Sequence, residues 1–314
     1  MAHNPRIKRQ FGVALLTVLL ILALMSTLAI YMFEDQYLSL RRATNERDAE
    51  QAFQLAAGAE QWAVRILQRD MLSNETDHLK ETWYTLLPEI PVERGTLTTR
   101  VDDLQGRFNL NNLAAGQDKT WYPAFKNLLR QLQLDESLAD AVVDWIDNDG
   151  NTLGINGAED PYYLSLDPSY RAANRFFYNV GELIWVKGFT PKAVAKLAPY
   201  VSTLPAKNIK INVNTASPVV LRMLSKNGLS EAAAAQIVDG RGDEGYKSIE
   251  EVLRNPALVG EGDYAEPLLS VFSQYFVVDS LATYGRFQFH LLSTMLRSPQ
   301  SQQVVILQRS RDLS

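Results

Sequence analysis

The hydrophobic pattern opens with one unbroken apolar run, Val13 to Phe33, which carries no charge and is interrupted only by Thr17, Ser26 and Thr27. As a helix rising about 1.5 Å per residue it reaches about 31 Å, enough to cross a hydrocarbon core. Beyond residue 34 the pattern changes. Ala52, Ala56, Ala59, Ala63 and Ile66 recur at three- and four-residue steps, with Phe53 and Trp62 widening the stripe, which predicts an amphipathic helix. No proline falls between Pro5 and Pro88, so the two patterns predict one rod from Val13 to about Asp70. It would have about 58 residues and a length of roughly 85 Å. The alternative is an anchor and a separate helix, kinked near Arg41-Arg42.

Residues 71–95 hold Asn74, Pro88, Pro91 and Gly95 and read as a loop. The alternating, β-branched stretch Thr96 to Asp103 reads as a strand, which Gln105 to Asn111 turns back. Near the other end, Tyr275 to Ser280, Gly285 to Leu296 and Gln303 to Arg309 read as three more strands. The expected class is α+β: a long helix packed on one antiparallel sheet built from strands before 112 and after 272. Residues 113–271 are then an all-α insertion.

The insertion repeats itself. Gly188-Phe-Thr-Pro-Lys-Ala and Gly228-Leu-Ser-Glu-Ala-Ala share a glycine, an apolar residue and a Ser/Thr cap, and Leu134-Asp135-Glu-Ser is a looser third copy. Thr190-Pro191 and Ser217-Pro218 put proline at a first helical position, and Ser248 to Glu251 is a capping box. The segment 211–254 resembles the helix-hairpin-helix, or SAM-like, unit of DNA-binding proteins, in which hairpin N–H groups reach a phosphate. Its hairpin, Lys226-Asn227-Gly228-Leu229, has one glycine and runs into an acidic, alanine-rich helix. The fold is read as borrowed and the DNA site as lost.

The flanks of the apolar run give its orientation. Arg6, Lys8 and Arg9 precede it and Glu34 and Asp35 follow, so the positive-inside rule keeps the N-terminus cytoplasmic and exports the rest. A secretory signal peptide fits poorly, because the run ends in Tyr31-Met32-Phe33-Glu34 rather than a small-x-small site. Two readings stay open: an uncleaved anchor, and a leader cut after Gly12. With Gly12 between the basic stretch and Val13-Ala14, the sequence resembles a type IV prepilin-like leader, which implies a scissile bond at Gly12-Val13. Most proteins of that kind have Glu five residues after the cut, where this chain has Thr17.

The formal charge of −5 becomes −8 once residues 1–12, with three cations and no acid, are removed. An acidic exported body disfavours nucleic acid or anionic lipid as the main partner. No cysteine is present, which excludes disulfides and thiolate metal sites.

The sharpest chemical signal lies between Arg130 and Arg171, where nine acids and no lysine or arginine occur. On a helix, Asp140, Asp144 and Asp147 would line one face towards a C-terminus that already disfavours anions. Asp147-Asn-Asp149-Gly-Asn151 then offers oxygen at every second residue, like the first half of an EF-hand loop, and Glu159 and Asp160 could add later ligands. With neither cysteine nor nearby histidine the ligands are hard oxygens, which favours calcium over zinc or copper. A solvated acidic loop is the plain alternative. Acid–base catalysis is not expected, since no nucleophile accompanies the carboxylates.

The leader with Thr17, the acidic segment Asp144 to Tyr163 and the helix-hairpin-like units together resemble the minor pseudopilin K family of the type II secretion system. That resemblance divides the chain into a leader (1–12), a transmembrane helix (13–33), the helix and first strands of a pseudopilin domain (34–112), an inserted α-domain (113–271, acidic loop 144–175) and closing strands (272–314). It implies bound calcium, with Asp147, Asp149 and Glu159 as ligands and Asp160, Asp144 and Asn174 after them. It also implies a place at the tip of a periplasmic pseudopilus, single-pass inner-membrane anchoring before assembly, and N-methylation after cleavage. The partners implied are minor pseudopilins I and J, the major pseudopilin, the prepilin peptidase and the inner-membrane assembly platform. Thr17 in place of Glu would free this subunit from pairing with a neighbour ahead of it. The competing reading from another class is a membrane-tethered helix-hairpin-helix DNA-binding protein of natural transformation.

Overall fold

The structure is a computed structural model that describes residues 11–84, 89–299 and 301–311. Its first element is a single helix, α1 (Phe11–Ser73), of 63 residues, about 95 Å long. It passes through Arg41-Arg42 without a break, and the Arg41 guanidinium lies 4.7 Å from the Tyr37 ring. Every side chain from Val13 to Thr44 is exposed, and among the described residues this is the one helix long and apolar enough to cross a membrane. Farther on, Asp48, Ala52, Ala56, Ala59, Glu60, Ala63 and Leu67 are buried in a stripe at helical spacing. The small alanines let the helix lie close against the sheet.

After α1 come β1 (Ile90–Val92) and β2 (Gly95–Asp103), and the chain later returns in β7 (Tyr275–Tyr284), β8 (Phe287–Ser298) and β9 (Gln303–Arg311). They form one antiparallel sheet in the order β1-β2-β7-β8-β9. The register from Gly95↔Tyr284 to Asp103↔Phe276 joins the strand before the insertion to the first strand after it. A Cβ on Gly95 would overlap the Thr283 carbonyl, so only glycine allows this approach. The sheet and helix enclose Trp83, Val101, Phe276, Val278 and Met295.

Two local expectations change. The stretch read as loop from residue 71 contains the last turn of α1 and the edge strand β1. The expected return after Asp103 does not occur, because the Asp103 carboxylate accepts the Gln105 N–H at 2.7 Å and starts a 3-10 turn, Leu104–Gly106. The chain then enters the inserted lobe through β3 (Phe108–Asn109).

Beyond β3 the lobe consists of α2 (Trp121–Gln131), α3 (Leu138–Ile146), α4 (Asp160–Tyr163), α5 (Pro191–Leu197), β4 (Val201–Ser202), β5 (Ile211–Asn212), α6 (Pro218–Leu221), α7 (Glu231–Asp239), α8 (Ile249–Leu253), α9 (Gly262–Ala265) and β6 (Leu269–Ser270). It is not purely helical: β3 pairs with β4, and β5 with β6, in short parallel bridges. Thr190, Ser217, Ser230 and Ser248 cap their helices through the side-chain oxygen. Asp135 Oδ1 accepts the Ser137 N–H at 2.9 Å ahead of α3. The lobe core gathers Phe108, Phe125, Leu128, Val142, Tyr163, Leu183 and Leu221.

Lobe and sheet meet in a buried polar knot. Arg297 of β8, fully buried, donates from Nη1 to Asp70 at 2.6 Å, from Nη2 to Asp77 at 2.5 Å and to the Ser273 carbonyl at 2.7 Å. Asp103 accepts from Ser273 Oγ and Thr215 Oγ1, each at 2.6 Å, and from Asn212 Nδ2 at 3.2 Å. The end of α1, the sheet and the lobe therefore share one hydrogen-bond network, which fixes their arrangement.

Candidate metal centre

Most of the acids between Arg130 and Arg171 are held by a hydrogen bond or an ion pair. Arg130 closes on Glu136 at 2.6 Å, and Arg171 on Asp160 at 2.7 Å, while Asp160 Oδ1 also accepts the Ala172 N–H. Asp140 takes the Tyr122 hydroxyl and, at 3.4 Å, Asn156 Nδ2. Asp144, fully buried, turns inward, and both its oxygens accept the Leu153 N–H at 3.1 Å. Its place on α3 lets it organise the loop that follows. A Cβ on Gly157 would overlap Asp144 Oδ2, so this fold of the loop needs glycine there.

Asp147, Asp149 and Glu159 converge without an ion-pair partner among the described residues, and of the three Asp149 has one oxygen, Oδ1, accepting the Asn151 N–H at 2.8 Å. One carboxylate oxygen from each lies within 4.8 Å of the others. Asp147 does not continue the carboxylate row on α3, because the helix ends at Ile146 and Asp147 leaves it with ψ 170°, extended. That departure carries its side chain out of the helix face and towards Asp149. Glu159 stands at the N-cap of α4, yet its side chain does not cap the helix and is buried. Asp147 Oδ1 and Glu159 Oε1 are buried with no hydrogen-bond partner. Buried oxygens without donors are costly, and no ion pair among the described residues reaches these three acids.

The electrostatics agree with the geometry. Burial, then the charges of Asp149 and Asp144, push Asp147 up to about 6. Burial and then the charges of Asp144, Asp147, Asp149 and Asp160 push Glu159 up to about 7. Asp144 is also raised, by burial first. Such a cluster lacks a positive charge, and two orphaned hard oxygens beside a third carboxylate fit an oxygen-seeking divalent cation.

Of the six expected ligands, the structure brings together Asp147, Asp149 and Glu159. It spends Asp144 on backbone N–H groups and Asp160 on Arg171. Asn174, in the left-handed region at φ 46°, donates its N–H to the Trp145 carbonyl at 2.9 Å, which sets it at the end of α3 near Asp147. A second acidic group, Asp70, Asp77 and Glu81, has its positive charge built in as Arg297. Lys187 was not expected at the loop: its Nζ donates to the Gly157 carbonyl at 2.9 Å from 30 residues away, a separation that leaves no local pattern.

The helix-hairpin unit is also internally committed. The Lys226 N–H donates to Glu261, that of Asn227 to Ser225 Oγ, that of Gly228 to the Ser225 carbonyl and that of Leu229 to the Arg222 carbonyl. No hairpin N–H is left for a phosphate. Gly12 and Val13 lie in the first turns of α1, and Thr17 Oγ1 donates back to the Ala14 carbonyl at 2.9 Å, as a hydroxyl does on a helix in an apolar medium.

Comparison with known proteins places these features. Residues 106–206 match the first-domain family model, and residues 211–271 a second model, both described as type II secretion system (T2SS), protein K. A type II secretion system protein K from Aeromonas hydrophila is 34% identical over 96% of this chain and 97% of its own length. One from Pseudomonas aeruginosa is 35% identical over 92% of this chain and 89% of its own length. Among solved structures, one chain of the crystal structure of the GspK-GspI-GspJ complex from the enterotoxigenic Escherichia coli type 2 secretion system superposes with a TM-score of 0.78. It is 26% identical and covers 87% of this chain and all of its own.

Proposed function

Given that the chain belongs to the type II secretion system protein K family, whose members are minor pseudopilins, we propose that it stands at the tip of a pseudopilus and supports the export of folded proteins across the outer membrane. The observation that carries this reading is the division of α1. Its first part is apolar and fully exposed, while its second part is locked to a sheet that bears a lobe of some 160 residues. The first part suits the inner membrane before assembly and packing among other such helices after it. The lobe, joined rigidly through the Arg297 knot, is too broad for another subunit to stack above it. The role is structural rather than catalytic.

In this reading a prepilin peptidase cuts the Gly12-Val13 bond, and the new Val13 amine is methylated. Thr17 cannot act as an anionic partner for the amine of a subunit ahead, in keeping with a subunit that has none ahead. The neighbours are minor pseudopilins I and J, as in the complex formed by the similar chain, followed by the major pseudopilin and the inner-membrane assembly platform. Calcium, held by Asp147, Asp149 and Glu159, would neutralise the loop and fix the face of the lobe that contains α3 and α4. The cation supplies charge and oxygen coordination only.

The DNA-binding alternative loses its support in the hairpin, whose N–H groups are all used within the lobe. Two measurements test the assembly reading. The mature N-terminus should be Val13, and the purified chain should form a stable complex with proteins I and J of the same secretion system. An intact Met1 or Ala2, with no complex, would overturn it.

A further inference from the structure

Residues 153–158 are gripped from two sides. From inside, Asp144 accepts N–H groups of Leu153 and Ala158. From outside, Lys187 Nζ donates to the Gly157 carbonyl at 2.9 Å and reaches the Ile155 carbonyl at 3.5 Å, with the Tyr162 ring centre 5.0 Å away. The lysine is itself held. Its N–H donates to the Tyr163 hydroxyl at 3.2 Å, and Gly188, next in the chain at φ 86°, turns the backbone close against Leu138. Glu159 emerges from this gripped segment two residues after Gly157, with no capping bond to hold its side chain elsewhere.

We infer that Lys187 is a positioning residue for the metal site: its ammonium fixes the Ile155 and Gly157 carbonyls so that Glu159 already faces Asp147 and Asp149 before an ion arrives. The inference rests on the calcium reading given above. Its physical basis is preorganisation, because ligands ordered in advance do not charge their ordering entropy to the binding step. The same ammonium also carries a positive charge near a cation site, and its Coulomb effect alone would weaken calcium binding. The two effects have opposite signs, so removing the lysine decides between them.

The test uses the full chain in detergent, titrated with calcium chloride in a calorimeter and melted in calcium or in chelator. Lys187→Met should bind calcium about tenfold more weakly than the parent, the usual size of an outer-shell effect. It should melt close to the parent in chelator and below it in calcium. Lys187→Arg, which keeps a donor within reach of both carbonyls, should restore most of the affinity. Unchanged or tighter binding by Lys187→Met, or an equal loss of melting temperature with and without calcium, overturns the inference while the metal reading stands. Failure of arginine to restore affinity overturns it in the same way. A parent chain that takes up no calcium overturns the metal reading and carries the inference down with it.

Discussion

Glu60 and Arg309 grip each other across 249 residues of sequence: Glu60 Oε2 accepts from Arg309 Nε, and Oε1 from Nη2, each at 2.8 Å. Ser293 Oγ donates to the same carboxylate at 2.5 Å. Burial alone would raise the Glu60 pKa, but the bonds from Arg309 and Ser293 outweigh it and hold the group below its ordinary value. This is the middle of three pins between α1 and the sheet. Arg94 holds Asp48 with two bonds of 2.9 and 3.0 Å, and Arg297 holds Asp70 at 2.6 Å. Glu60 is buried, whereas the Arg309 side chain is 54% exposed, so the two ends respond differently to removal.

Arg309→Met should cost more than Glu60→Ala, because it strands a buried carboxylate while the reverse change returns a guanidinium to water. The expected costs are about 3 and about 1–2 kcal/mol, with a coupling on the order of 1 kcal/mol in a double-mutant cycle. Denaturant melts of the full chain in detergent measure both. Equal, additive costs would show that the pair does not pin the helix.

The knot at the end of α1 makes stability depend on pH. Burial first, and then the Asp70 charge, push Glu81 up to about 7. An acid raised in the folded state binds its proton more tightly there than in the unfolded chain. Its ionisation therefore costs nothing below the unfolded pKa, and the penalty grows as pH rises from about 4.5 to 7. The chain should lose stability over that window. Glu81→Gln should remove part of the slope, on the order of 2 kcal/mol between the ends. Melting temperatures at pH 5 and 7.5 check this, and an identical slope in the variant would contradict it.

Neutralising the acidic cluster should have opposite effects with and without calcium. In chelator, Asp147→Asn relieves repulsion with Asp149 and Glu159 and should leave the chain as stable as the parent or slightly more so. With calcium at a hundredfold excess over its dissociation constant the parent should gain about 2.7 kcal/mol. The variant should gain little. A calcium-induced melting shift of equal size in both would remove Asp147 from the site.

Gly157→Ala tests the grip on the loop without touching a charge. The added Cβ would overlap Asp144 Oδ2 and stand 2.7 Å from the Leu153 nitrogen, so the loop must shift. A cost of about 1–3 kcal/mol is expected, together with weaker calcium binding. Wild-type melting and affinity in this variant would mean that the Asp144 bonds are not what shapes the loop.

Much of this was legible in the residues, for reasons that are local. The continuous α1 follows from the absence of proline and the alanine spacing, and the strands near both ends follow from alternation. The convergence of Asp147 and Asp149 could be anticipated from their alternate spacing in a stretch with no cation nearby in sequence. What the sequence hid was long-range. Nothing near Glu60 points to Arg309, nothing near Gly157 points to Lys187, and the two-residue bridges of β3 with β4 and β5 with β6 are too short to leave a period. The row of Asp140, Asp144 and Asp147 misled, because helical spacing does not reveal that the chain leaves α3 at Ile146. The partners of Asp144 and Asp160, a backbone N–H and Arg171, likewise depend on how the loop closes.

Labelling shows whether the lobe closes one end of a filament. Pseudopili assembled with this chain, its partners I and J and the major pseudopilin can be decorated with an antibody fragment against the lobe and viewed by electron microscopy. A label confined to one end of each filament is expected. Labels spaced along the filament length would contradict it.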